Sequence, residues 1–248
     1  MIGLENFRAH FKGFEDHYVI IGGTACSLLV ENVGLNFRAT KDIDVVLLVE
    51  NLSTAFAKHF WDFINLGEYS NISKSTDHRN FYRFEKPLKP DFPIMIELFA
   101  RKPGELPLFE GSHLLPLHIA DDISSLSAIL LDDDYYNFMK QGVRVISGIS
   151  LLDEYHLIPF KAKAWCELSN RNKSGEVGLT KHIKKHRKDI IVLYSLTKVS
   201  DTITLYGQVL HDMRTFLNEM ILESTQDEVS VNTWKGLAKL YRIDNQNI

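Results

Sequence analysis

The chain has 248 residues, 45% of them hydrophobic and 24% charged, with 32 acidic and 28 basic side chains and a formal net charge of −4. That length suits one large domain or two smaller ones with a real core, and the composition excludes a disordered chain as the default reading. It also excludes a surface coated in nucleic acid, so any RNA or DNA contact is expected as a local patch.

In chain order, Leu4 to Phe14 reads as a short amphipathic helix and His17 to Ile21 as a compact β-prone run that stops at Gly22-Gly23. Thr24 to Val33 follows as a helix, with Ala25, Leu28, Leu29 and Val33 close to helical spacing. A loop through Gly34, Arg38 and Thr40 leads to Asp42-Ile-Asp-Val-Val-Leu-Leu48, a strand whose apolar run suits burial on both faces. Leu52 to Leu66 reads as a helix, and Phe81–Phe84 and Pro93–Phe99 as a strand pair around a proline-rich loop. Short strands and an apolar run continue to about Ile149.

Beyond Leu151 the pattern turns helical, with helices expected at 151–168, 182–197 and 206–224 and an exposed loop over Ser169 to Gly178. The expected organisation is therefore an α/β domain over residues 1–150 and a helical C-terminal domain over 151–248. Cys26 and Cys166 make neither a disulfide framework nor a zinc site, which fits a reducing compartment. The N-terminus has no basic stretch leading into an apolar core, and no apolar run nears the roughly 20 residues that span a bilayer. The expectation is a cytoplasmic protein without membrane association.

The stretch from Tyr18 to Leu48 carries the chemistry. Side chains alternate faces along a strand, so Asp42 and Asp44 project to one side, about 7 Å apart at Cα. Two carboxylates so placed can share hard divalent cations, and two such ions about 3.5–4 Å apart can clamp the oxygens of a phosphoryl transfer. Gly22 and Gly23 leave backbone N–H groups unobstructed, and the following helix start offers further donors for phosphate. The Thr24 hydroxyl is placed to add one more, and Lys41 lies within reach of the same group. Glu97 is an acid in an otherwise apolar strand, where an unpaired charge is costly, and it is the candidate third carboxylate.

Taken singly, each of these features has a plain structural reading: Asp-x-Asp as a solvated strand edge, Gly-Gly as a tight turn, a helical lysine as a solvated face. Their order along the chain separates them from that background. His182 and His186 sit four apart on a helix, but Lys184 and Lys185 between them disfavour a metal. Lys181 to Lys188 reads as a basic helix face, open between contact with RNA phosphates and simple solubility, and Asp132-Asp133-Asp134 as a helix cap.

An apolar strand, Gly-Gly, a short helix and Asp-x-Asp resembles the signature of polymerase-β-like nucleotidyltransferases. Phe37-Arg-Ala-Thr-Lys-Asp-Ile-Asp44 resembles more closely the AbiE-type abortive-infection toxins of type IV toxin–antitoxin systems. Pro159-Phe-Lys-Ala-Lys-Ala-Trp165 resembles that family's lysine-bearing helix, where Lys161 or Lys163 would meet the triphosphate. Lys185-His-Arg-Lys-Asp-Ile190 resembles its later Arg/Lys-Asp motif, with Asp189 positioning a helix or a ligand. The likeness runs to about residue 197.

The resemblance implies a polymerase-β-like α/β core, a mixed sheet with flanking helices, plus a helical C-terminal domain. It also implies Mg²⁺ on Asp42, Asp44 and Glu97, two ions with Mn²⁺ as a substitute. The implied reaction moves NMP from an NTP to an acceptor hydroxyl, with the 3′ end of tRNA as the RNA acceptor. The implied role is that of a toxin in phage defence, with a cognate antitoxin as partner. Two other readings stay open: an aminoglycoside-type small-molecule O-nucleotidyltransferase, and a non-catalytic nucleotide-binding module.

Overall fold

The computed structural model describes residues 1–51, 53–75, 80–100, 115–117, 132–223 and 228–243. The fold is α/β, a mixed sheet with flanking helices followed by a helical remainder, as the sequence suggests. The chain divides into two compact units. One comprises Met1–Leu130 with Val143–Asp153, the other Leu131–Gly142 with Glu154–Ile248.

The first unit is built on one sheet. Its strands are β1 (Tyr18–Ile21), β2 (Asp42–Leu47), β3 (Tyr69–Ser75), β4 (Asn80–Pro87), β5 (Met95–Ala100), β6 (Leu115–Leu117), β7 (Val143–Ile146) and β8 (Ile149–Leu152), in the spatial order β6-β3-β4-β5-β2-β1-β8-β7. The centre is mixed: β2 runs antiparallel to β1 and parallel to β5, and β1 runs parallel to β8. All four residues of β1 are buried, as expected of a strand covered on both faces.

Among the described residues, three α-helices accompany the sheet: α1 (Leu4–His10), α2 (Gly22–Asn32) and α3 (Thr54–Leu66). Ser53 caps α3, its hydroxyl accepting from the Phe56 N–H at 3.1 Å. Phe7 and Phe11 of the N-terminal segment meet Phe63 of α3 at ring separations of 5.7 and 5.3 Å, and Phe60 meets Phe84 of β4 edge-on at 5.6 Å. Phe84 pairs with Ile96 of β5, so this aromatic layer covers one face of the sheet. Arg83, Glu97 and Asp44, one residue out of phase with that layer, point to the other face.

Strand β3 carries no apolar alternation and was not expected from the sequence. It is held by its antiparallel ladder to β4, from Tyr69 opposite Pro87 to Lys74 opposite Tyr82. The helix expected from Leu151 begins later. Ile149–Leu152 form β8, wholly buried, because a short apolar run fits a core strand as well as a helix. Of the short strands and apolar run expected up to about Ile149, β6, β7 and the start of β8 are seen, and residues 101–114 and 118–131 lie outside the described residues.

The second unit consists of α4 (Asp133–Gln141), α5 (Glu154–Lys173), α6 (Thr180–Leu196), α7 (Gly207–Glu223) and α8 (Glu228–Leu240). Asp132 caps α4, its carboxylate accepting from the N–H groups of Asp134 and Tyr135. Helix α5 runs on to Lys173, absorbing part of the expected loop, because Ser169 is buried on its inner face. Trp165, Phe216 and Trp234 interlock edge-to-face between α5, α7 and α8, with ring separations of 5.4 and 5.7 Å.

Pro159 lies inside α5 and has no N–H to offer the carbonyl of Tyr155 four residues earlier. The Tyr241 hydroxyl takes that place, donating to the Tyr155 carbonyl at 2.7 Å in a buried setting. Tyr241→Phe should therefore destabilise the protein by about 1–3 kcal/mol, the range for orphaning a buried polar group. In a Pro159→Ala background, where a backbone N–H is restored, the same change should cost much less. Urea unfolding of the four proteins measures this coupling, and equal costs in both backgrounds would refute it.

Candidate active site

The site is assembled where β1 ends and β2 begins. Ile21, the last residue of β1, pairs with Asp44, so the chain turns into α2 directly over that carboxylate. Gly22 makes this turn with φ +69°, and a Cβ there would lie 1.8 Å from Asp44 Oδ2. Only glycine meets both demands, the left-handed backbone and the close approach. A Cβ at Gly23 would stand 3.1 Å from Thr40 Cγ2 and 3.4 Å from Arg38 Nη2.

The first turn of α2 has no side-chain cap, which leaves its N–H groups available at the glycine turn. Thr24 is wholly buried, and its hydroxyl donates to the Asp42 carbonyl at 2.6 Å. It ties the start of α2 to the start of β2, where the sequence suggested a direct phosphate donor. Lys41 is solvent-exposed one residue before Asp42.

Strands β2 and β5 place Asp44 opposite Glu97, and β4 places Arg83 opposite Glu97 from the other side. Asp42 projects to the same face as Asp44, two residues along the strand. The expected three carboxylates therefore share one face of the sheet. Arg83, which the sequence reading did not single out, joins them, with Nε and Nη2 donating to Glu97 Oε1 at 3.0 and 2.7 Å. Its register opposite Glu97 was the signal that the pairing of Phe81–Phe84 with Pro93–Phe99 could have supplied.

Glu97 is 8% exposed. Burial first, then the charge of Asp44 and a hydrogen bond with it, push its carboxyl up to about 9, while the Arg83 guanidinium pulls the other way. Asp42, Asp44 and Glu97 gather carboxylate oxygen on one face, the kind of donor that hard cations take. Among the described residues, no group of three or more Asp, Glu, His or Cys side chains is placed to hold a metal ion as the side chains stand, and Glu97 Oε1 is taken up by Arg83. The donor set nonetheless suits Mg²⁺ in kind, being all carboxylate oxygen.

The remaining site candidates belong to the second unit. Lys161, on α5, is 5% exposed and places Nζ 3.1 Å from Oδ2 of Asp189 on α6, itself 2% exposed. Lys163 places Nζ 3.0 Å from Asp212 Oδ2 and 3.7 Å from Glu167 Oε1. Asp212 also accepts from the Tyr135 hydroxyl at 3.1 Å and the Gln208 amide at 2.9 Å, joining α4, α5 and α7. Both lysines thus have carboxylate partners within their own unit. His186 is held well below its ordinary value by burial and by Lys161 and Lys185, so it stays neutral. No helix among the described residues is long and apolar enough to cross a membrane.

Two outcomes are expected. A carboxyl whose folded value lies above its ordinary 4.5 binds its proton more tightly when folded. Glu97 therefore contributes stability below pH 4.5, and that contribution is lost as pH rises toward 9. In metal-free buffer, Glu97→Gln should flatten the fall in urea midpoint over this window relative to the parent, whereas parallel curves would remove the inference. Separately, Lys161→Met should cost up to about 3–5 kcal/mol by breaking the buried ion pair with Asp189, and Lys161→Met/Asp189→Leu should recover most of it. A single variant as stable as the parent would show that the pair is not structural.

No protein-family model matches the sequence, and no curated protein does. Among solved structures, the chain is similar to an antigenic nucleotidyltransferase-like protein from Paracoccidioides brasiliensis, at 14% identity and a TM-score of 0.44, over 94% of each chain. A likeness at that level carries no inference about this protein, and the function is read from the geometry above.

Proposed function

We propose that the chain is a metal-dependent nucleotidyltransferase that moves NMP from an NTP to an acceptor hydroxyl on RNA. The observation that carries this reading is the closure of the Gly22 turn onto Asp44, with Glu97 alongside on β5. The uncapped first turn of α2 then starts directly beside an acidic face. Few chemistries other than phosphoryl transfer need both at once.

In this reading Asp42 and Asp44 would hold Mg²⁺, or Mn²⁺ in its place, with Glu97 turning from Arg83 to complete the donor set. The bound metal would supply charge neutralisation along the triphosphate and a fixed geometry for the attacking and leaving oxygens. The N–H groups at Gly22 and Gly23 bind phosphate oxygens, and Lys41 and the Arg38 guanidinium beside Gly23 add positive charge. Thr24 keeps the glycine turn in register with β2 through its bond to the Asp42 carbonyl.

The acceptor oxygen attacks the α-phosphorus, the bond to the bridging oxygen of the β-phosphate breaks, and pyrophosphate leaves. The acceptor proton passes to solvent, or to Glu97 once a bound cation would hold that carboxyl ionised; without a cation, burial and Asp44 keep Glu97 protonated at neutral pH. Arg83 acts through Glu97 and fixes where its carboxyl points. Lys161, Lys163 and Asp189 are assigned to holding the second unit together. The resemblance in Phe37–Asp44 further supports a toxin role, tRNA as the RNA acceptor and an antitoxin partner.

The test is label transfer from each α-³²P-NTP to total tRNA in the presence of Mg²⁺. Asp42→Asn should lower transfer by at least about 1,000-fold, given the several kcal/mol that metal-based charge stabilisation contributes. Circular dichroism should leave the fold unchanged. Parent-level turnover in that variant would sink the proposal. Label appearing on an aminoglycoside but not on RNA would move the acceptor to a small molecule.

A further inference from the structure

Helix α6 carries a surface that the proposed site does not use. From Lys181 to Lys188 the sequence Lys-His-Ile-Lys-Lys-His-Arg-Lys holds five Lys and Arg and no acid, in a chain with a net charge of −4. The helix splits this run by periodicity. Asp189, Ile190 and Leu193 are buried and define the inner side. Lys181, Lys184 and Lys188 fall on the opposite side at spacings of three and four, and all three are exposed.

Other basic groups near this helix are matched. Lys161 meets Asp189, Lys173 meets Glu219 at 2.7 Å, and Arg187 meets Glu223 at 3.5 Å while lying over the Trp234 ring. Among the described residues, Lys181, Lys184 and Lys188 have no carboxylate within ion-pair distance. Three like charges within about two turns repel one another and lower helix stability slightly, which a solubility role alone would not require.

We propose that this lysine stripe on α6 is a contact surface for the phosphate backbone of RNA. Charge complementarity selects the occupant. The stripe spans about 10 Å at 1.5 Å per residue, enough to face successive phosphates of one strand. Lysine serves as a mobile point charge for phosphate, whereas the cores of protein–protein interfaces are depleted in it. A backbone contact of this kind reads no sequence and supplies affinity through released counterions. It deepens the RNA-acceptor reading and rests on it, adding where on the protein the RNA is held.

The test measures binding of fluorescently labelled total tRNA by anisotropy across a salt series, without NTP. The proteins compared are the parent, Lys181→Glu/Lys184→Glu/Lys188→Glu, and a control, Lys12→Glu/Lys58→Glu/Lys86→Glu, with the same change in net charge on exposed positions elsewhere. Each lost phosphate contact lowers the log–log salt slope by roughly 0.7 to 0.9, so the stripe variant should bind more weakly with a slope smaller by about 2. The control should keep the parent slope, and thermal melting should show all three proteins folded.

Equal losses in stripe and control variants would reduce the effect to bulk charge and overturn the proposal. Parent-like binding and slope in the stripe variant would overturn it too, while transfer of label to tRNA by the parent left the RNA reading intact. A parent that neither bound nor labelled tRNA would remove the RNA reading itself, and this surface with it. In that case, binding of the stripe to an acidic protein would name the other occupant.

Discussion

Burying a carboxylate beside other carboxylates is the constraint around which the first unit is arranged. Glu97 sits almost wholly out of water, next to Asp44 and near Asp42, with the Arg83 guanidinium paired to it. Desolvation and like charge both oppose ionisation there, and a site under that pressure gains from a proton or a cation. The neighbouring chain follows from this. Arg83 is held opposite Glu97 by the β4–β5 register. The turn after β1 must be glycine, because any side chain would displace the Asp44 carboxylate.

The same strands keep the acidic face separate from the core. On a pleated sheet a shift of one residue changes face, so Phe84, Ile96 and Leu98 pack with the aromatic layer while Arg83 and Glu97 point away from it. The Phe7, Phe11, Phe56, Phe60 and Phe63 cluster anchors the sheet from one side. That leaves the other face free to collect groups whose mutual repulsion would disrupt any core. The polar groups of the second unit follow a different rule. Lys161 with Asp189, and Asp212 with Lys163, Tyr135 and Gln208, are satisfied by partners on neighbouring helices. Such pairs fix how helices register against one another, since removing a partner weakens the compensation of a buried charge.

Much of the candidate site could be read before any fold was in view. Strand β1, the glycine turn, helix α2 and strand β2 each carry a strong local signal, and period-two alternation alone puts Asp42 and Asp44 on one face. Glu97 stood out as an acid in an apolar strand. Other elements gave no such signal. Strand β3 is mostly polar apart from Tyr69 and Ile72, and it is held by its ladders to β4 and β6. Arg83 looks like any strand arginine until its cross-strand neighbour is known. The helix at Asp133–Gln141 lies within the segment read as α/β, yet it packs with the second unit, because its buried Tyr135 finds Asp212 and Phe160 there.

The sequence by itself determined the order of elements, the face on which the aspartates lie, the need for glycine between strand and helix, and the basic face of α6. These are periodic or local properties, set by backbone geometry over a few residues. Only the tertiary structure decided which groups meet across distance: Arg83 with Glu97, Thr24 with the Asp42 carbonyl, Lys161 with Asp189, and Tyr241 with the carbonyl that Pro159 leaves open. Those pairings depend on strand register and helix packing. Such long-range contacts are selected by the burial energy of the whole unit, not by the residues on either side of them.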